Sequence, residues 1–260
     1  MLRFLTAGES HGKALLGILE GMPAGLKIRT DFINKELRRR QSGHGRGARM
    51  KIEKDAVEII SGLKSGTTIA SPIGLSIRNK DASIDTLAAL YCPRPGHGDF
   101  AGGMKYGFGD LRCVLERASA RETAMRVAIG AVCKQLLATF KIAIVGNVIA
   151  VGGERKENKI RQIIDQARED KDTLGGIFEV TAKGVPVGLG SYVHYDRRLD
   201  ARLAMGIMSI PAIKAVGIGL GIHGADKYGS QVHDAIYYHK QKGYYRLTNN
   251  AGGIEAGVSN

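Results

Sequence analysis

The strongest periodic signal in the chain is the apolar spacing that begins at Ala124. Ala124, Val127, Ala128, Ala131, Leu136 and Leu137 recur at helical spacing, which predicts a long amphipathic helix over Ala118–Phe140. Asp31–Arg40 reads as a shorter helix capped near Thr30 or Asp31. Asn158–Arg168 is a polar amphipathic helix carrying Ile160, Ile163, Ile164 and Ala167, and Leu199–Met208 is another, ended by Pro211. Ala14–Leu19, Leu75–Arg78 and Ile142–Val151 have strand patterns. Met50–Glu53 and Val57–Ile60 alternate as strands around Lys54 and Asp55. Phe178–Thr181 and Val187–Val193 flank Lys183-Gly184-Val185-Pro186 and suggest a hairpin, and Ala215–Gly221 a glycine-rich strand. The elements alternate with no visible linker or short-period repeat, the pattern of one α+β or α/β domain over residues 1–260.

Composition narrows the class. A chain of 260 residues can bury a large core, and 43% hydrophobic residues without tryptophan is an ordinary globular balance. No apolar run approaches the ~20 residues that a membrane-spanning helix needs, and the first residues lack the apolar core of a secretory signal. Cys92, Cys113 and Cys133 are odd in number and lack C-x-x-C spacing, which points to reduced thiols. The expectation is a cytoplasmic protein with no membrane partner.

Charge changes the picture. Thirty-eight Lys+Arg against 25 Asp+Glu gives +13, an excess that suits nucleic acid or small polyanions. The densest block, Arg38 to Arg49, holds five arginines with Gly43, Gly45 and Gly47 interleaved. Glycines there let backbone approach a ligand closely. An RNA-binding tail normally lies at a terminus and runs into low complexity. This block lies between patterned elements, so a small anion is the expected partner and nucleic acid is not.

A second anion seat is Glu116-Arg117-Ala118-Ser119-Ala120-Arg121-Glu122-Thr123, read as the start of the long helix. Unpaired N–H groups and the dipole favour an anion at such a start. Arg117 and Arg121, four apart, would share one face, and guanidinium forks grip phosphate or carboxylate in a bidentate way. The competing reading is a capped surface helix whose arginines pair with Glu116 and Glu122. Two histidines sit in unusual settings: His11 within Gly8-Glu9-Ser10-His11-Gly12, and His97 within Pro93-Arg94-Pro95-Gly96-His97-Gly98-Asp99. Either ring can hold or supply a proton near neutral pH; the competing reading for each is a turn residue bonded to backbone. Ser10 and His11 are neighbours pointing opposite ways and form no dyad. No metal-ligand spacing supports a metal site.

Taken together these segments resemble chorismate synthase. Gly8–Gly12 is similar to that family's N-terminal motif, and Arg38–Gln41, Gly45–Gly47 and Arg49–Glu53 to its basic loop. Ser71–Ile73, Asn79–Asp81, Arg94–His97 and Lys105-Tyr106 continue the resemblance, and Glu116–Ala124 looks like its central motif. Gly184–Gly190, Asp200–Leu203 and Asn249–Glu255 carry it almost to the last residue. Several long motifs in one order make chance similarity very improbable.

The resemblance implies an α+β fold, a β-α-β sandwich assembled as a homotetramer. It implies conversion of 5-enolpyruvylshikimate 3-phosphate to chorismate by anti-1,4-elimination of phosphate with reduced FMN and no net oxidation. His11 would protonate the departing phosphate and His97 would hold a proton beside the flavin. Arg117, Ala118 and Ser119 fall at an FMN-contact position, as do Pro211, Ala212 and Gly257. Arg40 and Arg46 match positions associated with NADPH in forms that reduce their own flavin, while Arg49, with Ser10 and Arg121, would bind substrate. Departures from the family pattern are His44 in place of an aromatic residue, Ala256 in place of a glycine, and a shorter Ala82–Tyr91 stretch. After Asn260 the family continues with a Lys-Pro-x-x-Thr-like segment and an Arg-Ser-Asp-Pro-like motif. The expectation is a domain incomplete at its C-terminus, with a catalytically impaired remnant that keeps flavin or anion binding as the alternative function.

Overall fold

The computed structural model describes residues 2–47 and 49–260, Lys51 by its backbone only. The chain divides into two compact units, Met1–Lys183 and Gly184–Asn260, each described by itself. In the first, β1 (Arg3–Ala7) and β2 (Ala14–Glu20) form a hairpin, followed by helix α1 (Thr30–Gln41) and the short helix α2 (Arg49–Ile52). The two-residue strands β3 (Glu58–Ile59), β4 (Leu63–Lys64) and β5 (Thr67–Thr68) precede β6 (Ile73–Arg78). Helices α3 (Asp99–Tyr106), α4 (Arg112–Arg117) and α5 (Thr123–Thr139) come next, then β7 (Ala143–Val151), α6 (Glu157–Glu169) and β8 (Gly176–Lys183).

One antiparallel sheet in the order β1-β2-β6-β3 carries the core. Period-two alternation turns Leu15 and Leu19 of β2 and Ile73, Leu75 and Ile77 of β6 inward. They meet Ile33 and Leu37 of α1 and Ala124, Met125, Ala128, Ile129 and Val132 of α5. Gly17 lies on the same inward face, and a Cβ there would stand 2.6 Å from the Met125 sulfur. A side chain at 17 would push α5 off the sheet. On the other face Leu16 and Ile18 remain about half exposed, at 50% and 49%.

The predicted strands at 14–19 and 75–78 and the helices at 31–40, 158–168 and 199–208 match observed elements. Five local expectations differ, the fifth in the second unit. The α1 N-cap is Arg29 and makes no side-chain cap bond; the Arg29 N–H donates instead to the Gln135 side chain at 2.8 Å. The long helix starts at Thr123. Ser119 is extended (φ −66°, ψ 143°) and its hydroxyl accepts the Arg121 N–H, opening a 3-10 turn at Ala120–Glu122. Met50–Ile52 is helical, because Arg49 and Glu53 pair four residues apart across that turn. Strand β8 pairs with β7 across its whole length, so Val187–Val193 forms no hairpin with it.

The second unit has α7 (Leu199–Met208), the single turn α8 (Gly229–Val232), hairpin β9 (Ile236–His239)–β10 (Gly243–Arg246) and the short pair β11 (Ile254–Glu255)–β12 (Val258–Ser259). The expected strand over Ala215–Gly221 is irregular backbone. Gly219 explains why: at φ +59° it packs against the Asn250 carbonyl so closely that no Cβ fits. Asp234 organises this region by accepting from the Thr248 hydroxyl and the Asn250 and Ala251 amides.

Leu37 is fully buried between α1 and the core. Leu37→Ala should lower unfolding free energy by about 2–5 kcal/mol, measured by urea denaturation. A loss below ~1 kcal/mol would mean that α1 is not anchored there.

Candidate functional site

The site of the first unit forms where the β1–β2 turn meets the end of β6 and the α4–α5 junction. The Asn79 amide, one residue beyond β6, donates to the carbonyls of Ser10 and Gly12 at 3.1 and 2.7 Å and to that of Glu9 at 3.2 Å. Three bonds from one side chain fix the Gly8–Gly12 turn. Its carbonyl oxygen accepts from Arg121 Nε at 2.9 Å. Arg121 is almost completely buried; Nη1 donates to Asp55 Oδ1 at 2.7 Å, and Nη2 lies 3.7 Å from Glu53 Oε2. Arg40, from the last turn of α1, lies 3.6 Å from the other Asp55 oxygen and bonds Thr123 Oγ1 and the Ala120 carbonyl.

Arg49 completes the cluster. Its Nη1 donates to Ser10 Oγ at 2.6 Å, and its Nη2 to the Ser10 carbonyl and to Glu53 Oε1. Ser119 Oγ lies 3.2 Å from Ser10 Oγ. Burial opposes ionisation of Glu53. The Lys80 amide, the charge of Arg121, the Asp81 amide and Arg49 together overcome it and hold the carboxyl below its usual range. Three guanidiniums, Arg40, Arg49 and Arg121, thus face two buried carboxylates, Asp55 and Glu53. Arg49 Nε and Arg121 Nη2 are buried without a hydrogen-bond partner. Desolvated donors and a surplus positive charge suit an oxyanion such as phosphate or carboxylate.

His11 borders this cluster with its side chain about a quarter exposed. Its Nδ1 lies 2.9 and 3.1 Å from the two Glu116 oxygens, and its N–H donates to Glu116 Oε2 at 2.7 Å. Nε2 is 3.7 Å from Asp81 Oδ2. The Ser83 hydroxyl first, with the charges of His11 and Arg49 adding to it, holds the Asp81 carboxyl below its usual range against desolvation.

The structure brings Ser10, His11, Arg40, Arg49, Ser119 and Arg121 together. Arg117 and Arg121 do not share a helix face as expected. Arg117 ends α4, is exposed and donates to the Thr6 and Gly8 carbonyls, whereas Arg121 turns into the core. Ala118 is exposed. His97 is exposed, and Nδ1 contacts the Pro95 carbonyl at 2.9 Å within its own loop. That loop is held by Arg94 pairing with buried Asp99. Arg46 is exposed and Nε donates to the Ser42 carbonyl. Its glycine loop is tied to α6 by His44 Nε2 and Asp165, 2.9 Å apart. Gly45, at φ +76°, packs on Ile164 so closely that a Cβ would collide. Pro211, Ala212 and Gly257 belong to the second unit. Ala212 sits at φ +69°, and the Gly257 carbonyl accepts the Ser191 and Leu199 amides. Among the described residues no group of three or more His, Cys, Asp or Glu side chains forms a metal site, and no helix is long and apolar enough to cross a membrane.

Sequence reasoning did not assign Glu53, Asp55, Asn79 or Glu116 to the site. Glu53, Asn79 and Glu116 did lie within the motifs that carry the resemblance, and a further signal was polar residues at the ends of apolar elements, such as Asn79 after the alternating Ile73–Ile77 run.

Two outcomes follow. Arg121→Met should cost about 3–5 kcal/mol by leaving Asp55 buried without its closest cation, read by chemical denaturation. A near-neutral change would mean the pair contributes little. The Asp99 pKa is lowered to about 2, first by the hydrogen bond from Arg94. Its stabilisation is therefore fully present above the unfolded carboxylate pKa of about 4 and fades as pH falls toward 2. In Asp99→Asn, thermal stability should lose part of its pH dependence in that window; an unchanged acid profile would contradict this.

Comparison with known proteins matches the geometry to one family. The chorismate synthase family model matches residues 2–260. A chorismate synthase of Thermoanaerobacter pseudethanolicus is 55% identical over all of this chain and 75% of that relative. One of Geobacter sulfurreducens is 49% identical over all of this chain and 78% of its own length. A crystal structure of chorismate synthase superimposes with a TM-score of 0.85 at 44% identity, covering all of this chain and 81% of that one. The chain spans about three quarters of the length of these two relatives. With the family model matched from residue 2 to residue 260 and a solved member sharing its α+β fold, this chain belongs to the chorismate synthase family.

Proposed function

We propose that the chain eliminates phosphate from 5-enolpyruvylshikimate 3-phosphate to give chorismate, the step that leads toward aromatic amino acids, with reduced FMN as cofactor. The observation that carries this reading is the Ser10–Arg49–Arg121 cluster. Three guanidiniums, Arg40, Arg49 and Arg121, outnumber the two carboxylates Glu53 and Asp55 there, and Arg49 Nε and Arg121 Nη2 lack hydrogen-bond partners. A substrate with two carboxylates and a phosphate offers the missing acceptors.

In this 1,4-elimination the C–H bond at one end of an allylic four-carbon unit and the C–O bond to phosphate at the other end break. The C–H electron pair forms a new double bond, the existing ring double bond shifts toward the carbon that loses phosphate, and a diene results. Arg49 and Ser10 hold an anionic group of the substrate, with Arg121 behind them fixing the turn through Asn79. His11 gives a proton to the departing phosphate, and His97 holds one beside the flavin. Reduced FMN, when bound, would supply transient electron density to assist loss of phosphate. Ser119, Ala118 and Arg117 contribute FMN contacts in the first unit, and by resemblance Pro211, Ala212 and Gly257 of the second unit fall at FMN-contact positions. Ser119 Oγ and the exposed Arg117 guanidinium are suitable donors for such a phosphate-bearing group. Arg40 and Arg46 serve NADPH where the chain reduces its own flavin. We further infer one chorismate synthase-like domain over 1–260, assembled as a homotetramer and working in the cytoplasm. The three free cysteines fit a reducing compartment.

Anaerobic incubation of the chain with substrate and reduced FMN should yield chorismate and phosphate. Flavin binding without product would reject turnover and leave a ligand-binding remnant. His11→Ala and His97→Ala should each lower kcat by about 10²–10⁴-fold with little change in KM. Arg49→Ala should instead weaken substrate binding, and preserved affinity would remove its clamp role.

A further inference from the structure

We infer that Glu116 is a positioning residue that fixes the tautomer and direction of the His11 ring, so that Nε2 is the atom that carries the transferred proton. The inference rests on the proposed role of His11 and adds a residue to it. Glu116 lies on α4, 105 residues from His11 in sequence, with its side chain only 1% exposed. Its carboxylate reaches His11 three times: both oxygens face Nδ1, and Oε2 also accepts the backbone N–H. The Glu116 carbonyl accepts the Ser10 amide at 2.9 Å, so the same residue holds the turn on both sides of the peptide. The guanidinium of Arg112, 3.7 Å from Oε1, supplies positive charge behind the carboxylate.

An ionised carboxylate only accepts hydrogen bonds. The proton on the neutral ring therefore sits on Nδ1, and Nε2 is left to take up and release the proton that matters for chemistry. Among the described residues Nε2 makes no hydrogen bond. Asp81, the carboxylate nearest to it, stands at 3.7 Å and is itself engaged by Ser83. The arrangement puts the exchangeable position of the ring on the side away from the buried carboxylate. A carboxylate buried only for stability would not need to face one ring nitrogen with both oxygens.

The test uses the full chain labelled with 15N-histidine, with His11 assigned by its loss in His11→Ala. At about pH 8.5, above the ordinary imidazole titration, two-bond N–H correlations should show His11 in the Nδ1–H form. In Glu116→Gln that pattern should give way to the Nε2–H form or a mixture. In turnover assays Glu116→Gln should lower kcat at least tenfold with KM changed less than about threefold, and Glu116→Asp should recover part of the loss. The double variant His11→Ala/Glu116→Gln should be no slower than His11→Ala alone. An Nε2–H ring in the unsubstituted chain, or fully additive losses, would overturn the inference. If the unsubstituted chain makes no chorismate, the proposed function fails while the tautomer pattern still decides the role of Glu116. If Glu116→Gln does not fold, the unsubstituted spectrum alone decides it.

Discussion

The buried guanidinium of Arg121 is the constraint on which the first unit depends. A charge almost completely removed from water is tolerated only when its donors are matched. Here one donor goes to Asp55 and one to Asn79, while Glu53 stands nearby. Arg121 and its partners come from three separate stretches of chain, so the pairing can form only when the sheet, the α1–β3 connection and the α4–α5 junction are in place. Asn79 then passes the constraint on by holding three carbonyls of the β1–β2 turn. An ionic contact in the core thus sets the geometry of a turn at the surface of the site.

The site is made of two kinds of arginine. Arg121 and Arg40 are largely satisfied inside the protein and act as fixed charge beneath the cluster. Arg49 reaches from the glycine-rich loop, and Arg46 and Arg117 stand exposed at its margins. Deep charges hold the potential positive with little screening, while exposed ones respond to ligand and salt. The tie of His44 to Asp165 and the close packing of Gly45 on Ile164 anchor the loop to α6. These contacts limit how far the loop carrying Arg46 can move.

Much of the fold was legible because burial leaves a periodic trace. The alternation in β2 and β6 and the three-and-four spacing in α5 identified the elements that carry the core. The α7 boundaries, Leu199–Met208, were readable from its pattern and the proline that follows. Short elements were misread where side-chain bonding overrode pattern. Ser119 capped a 3-10 turn and delayed α5, and the Arg49–Glu53 pair made a helical turn of an alternating stretch. Gly219 forced irregular backbone where apolar residues suggested a strand.

By itself the sequence determined the core-bearing elements, the excess of positive charge, the residues able to bind anions and carry protons, and the motif order that marks the family. Those properties are local or additive, so they survive in a one-dimensional reading. Only the tertiary structure decided that Arg121 faces inward and Arg117 outward, since four residues of spacing mean one face only if the helix is unbroken. It alone joined Glu116 to His11 and Asn79 to the Gly8–Gly12 turn. Contacts between groups seventy or a hundred residues apart leave no periodic trace, and a buried carboxylate looks like a surface one until its partners are in place.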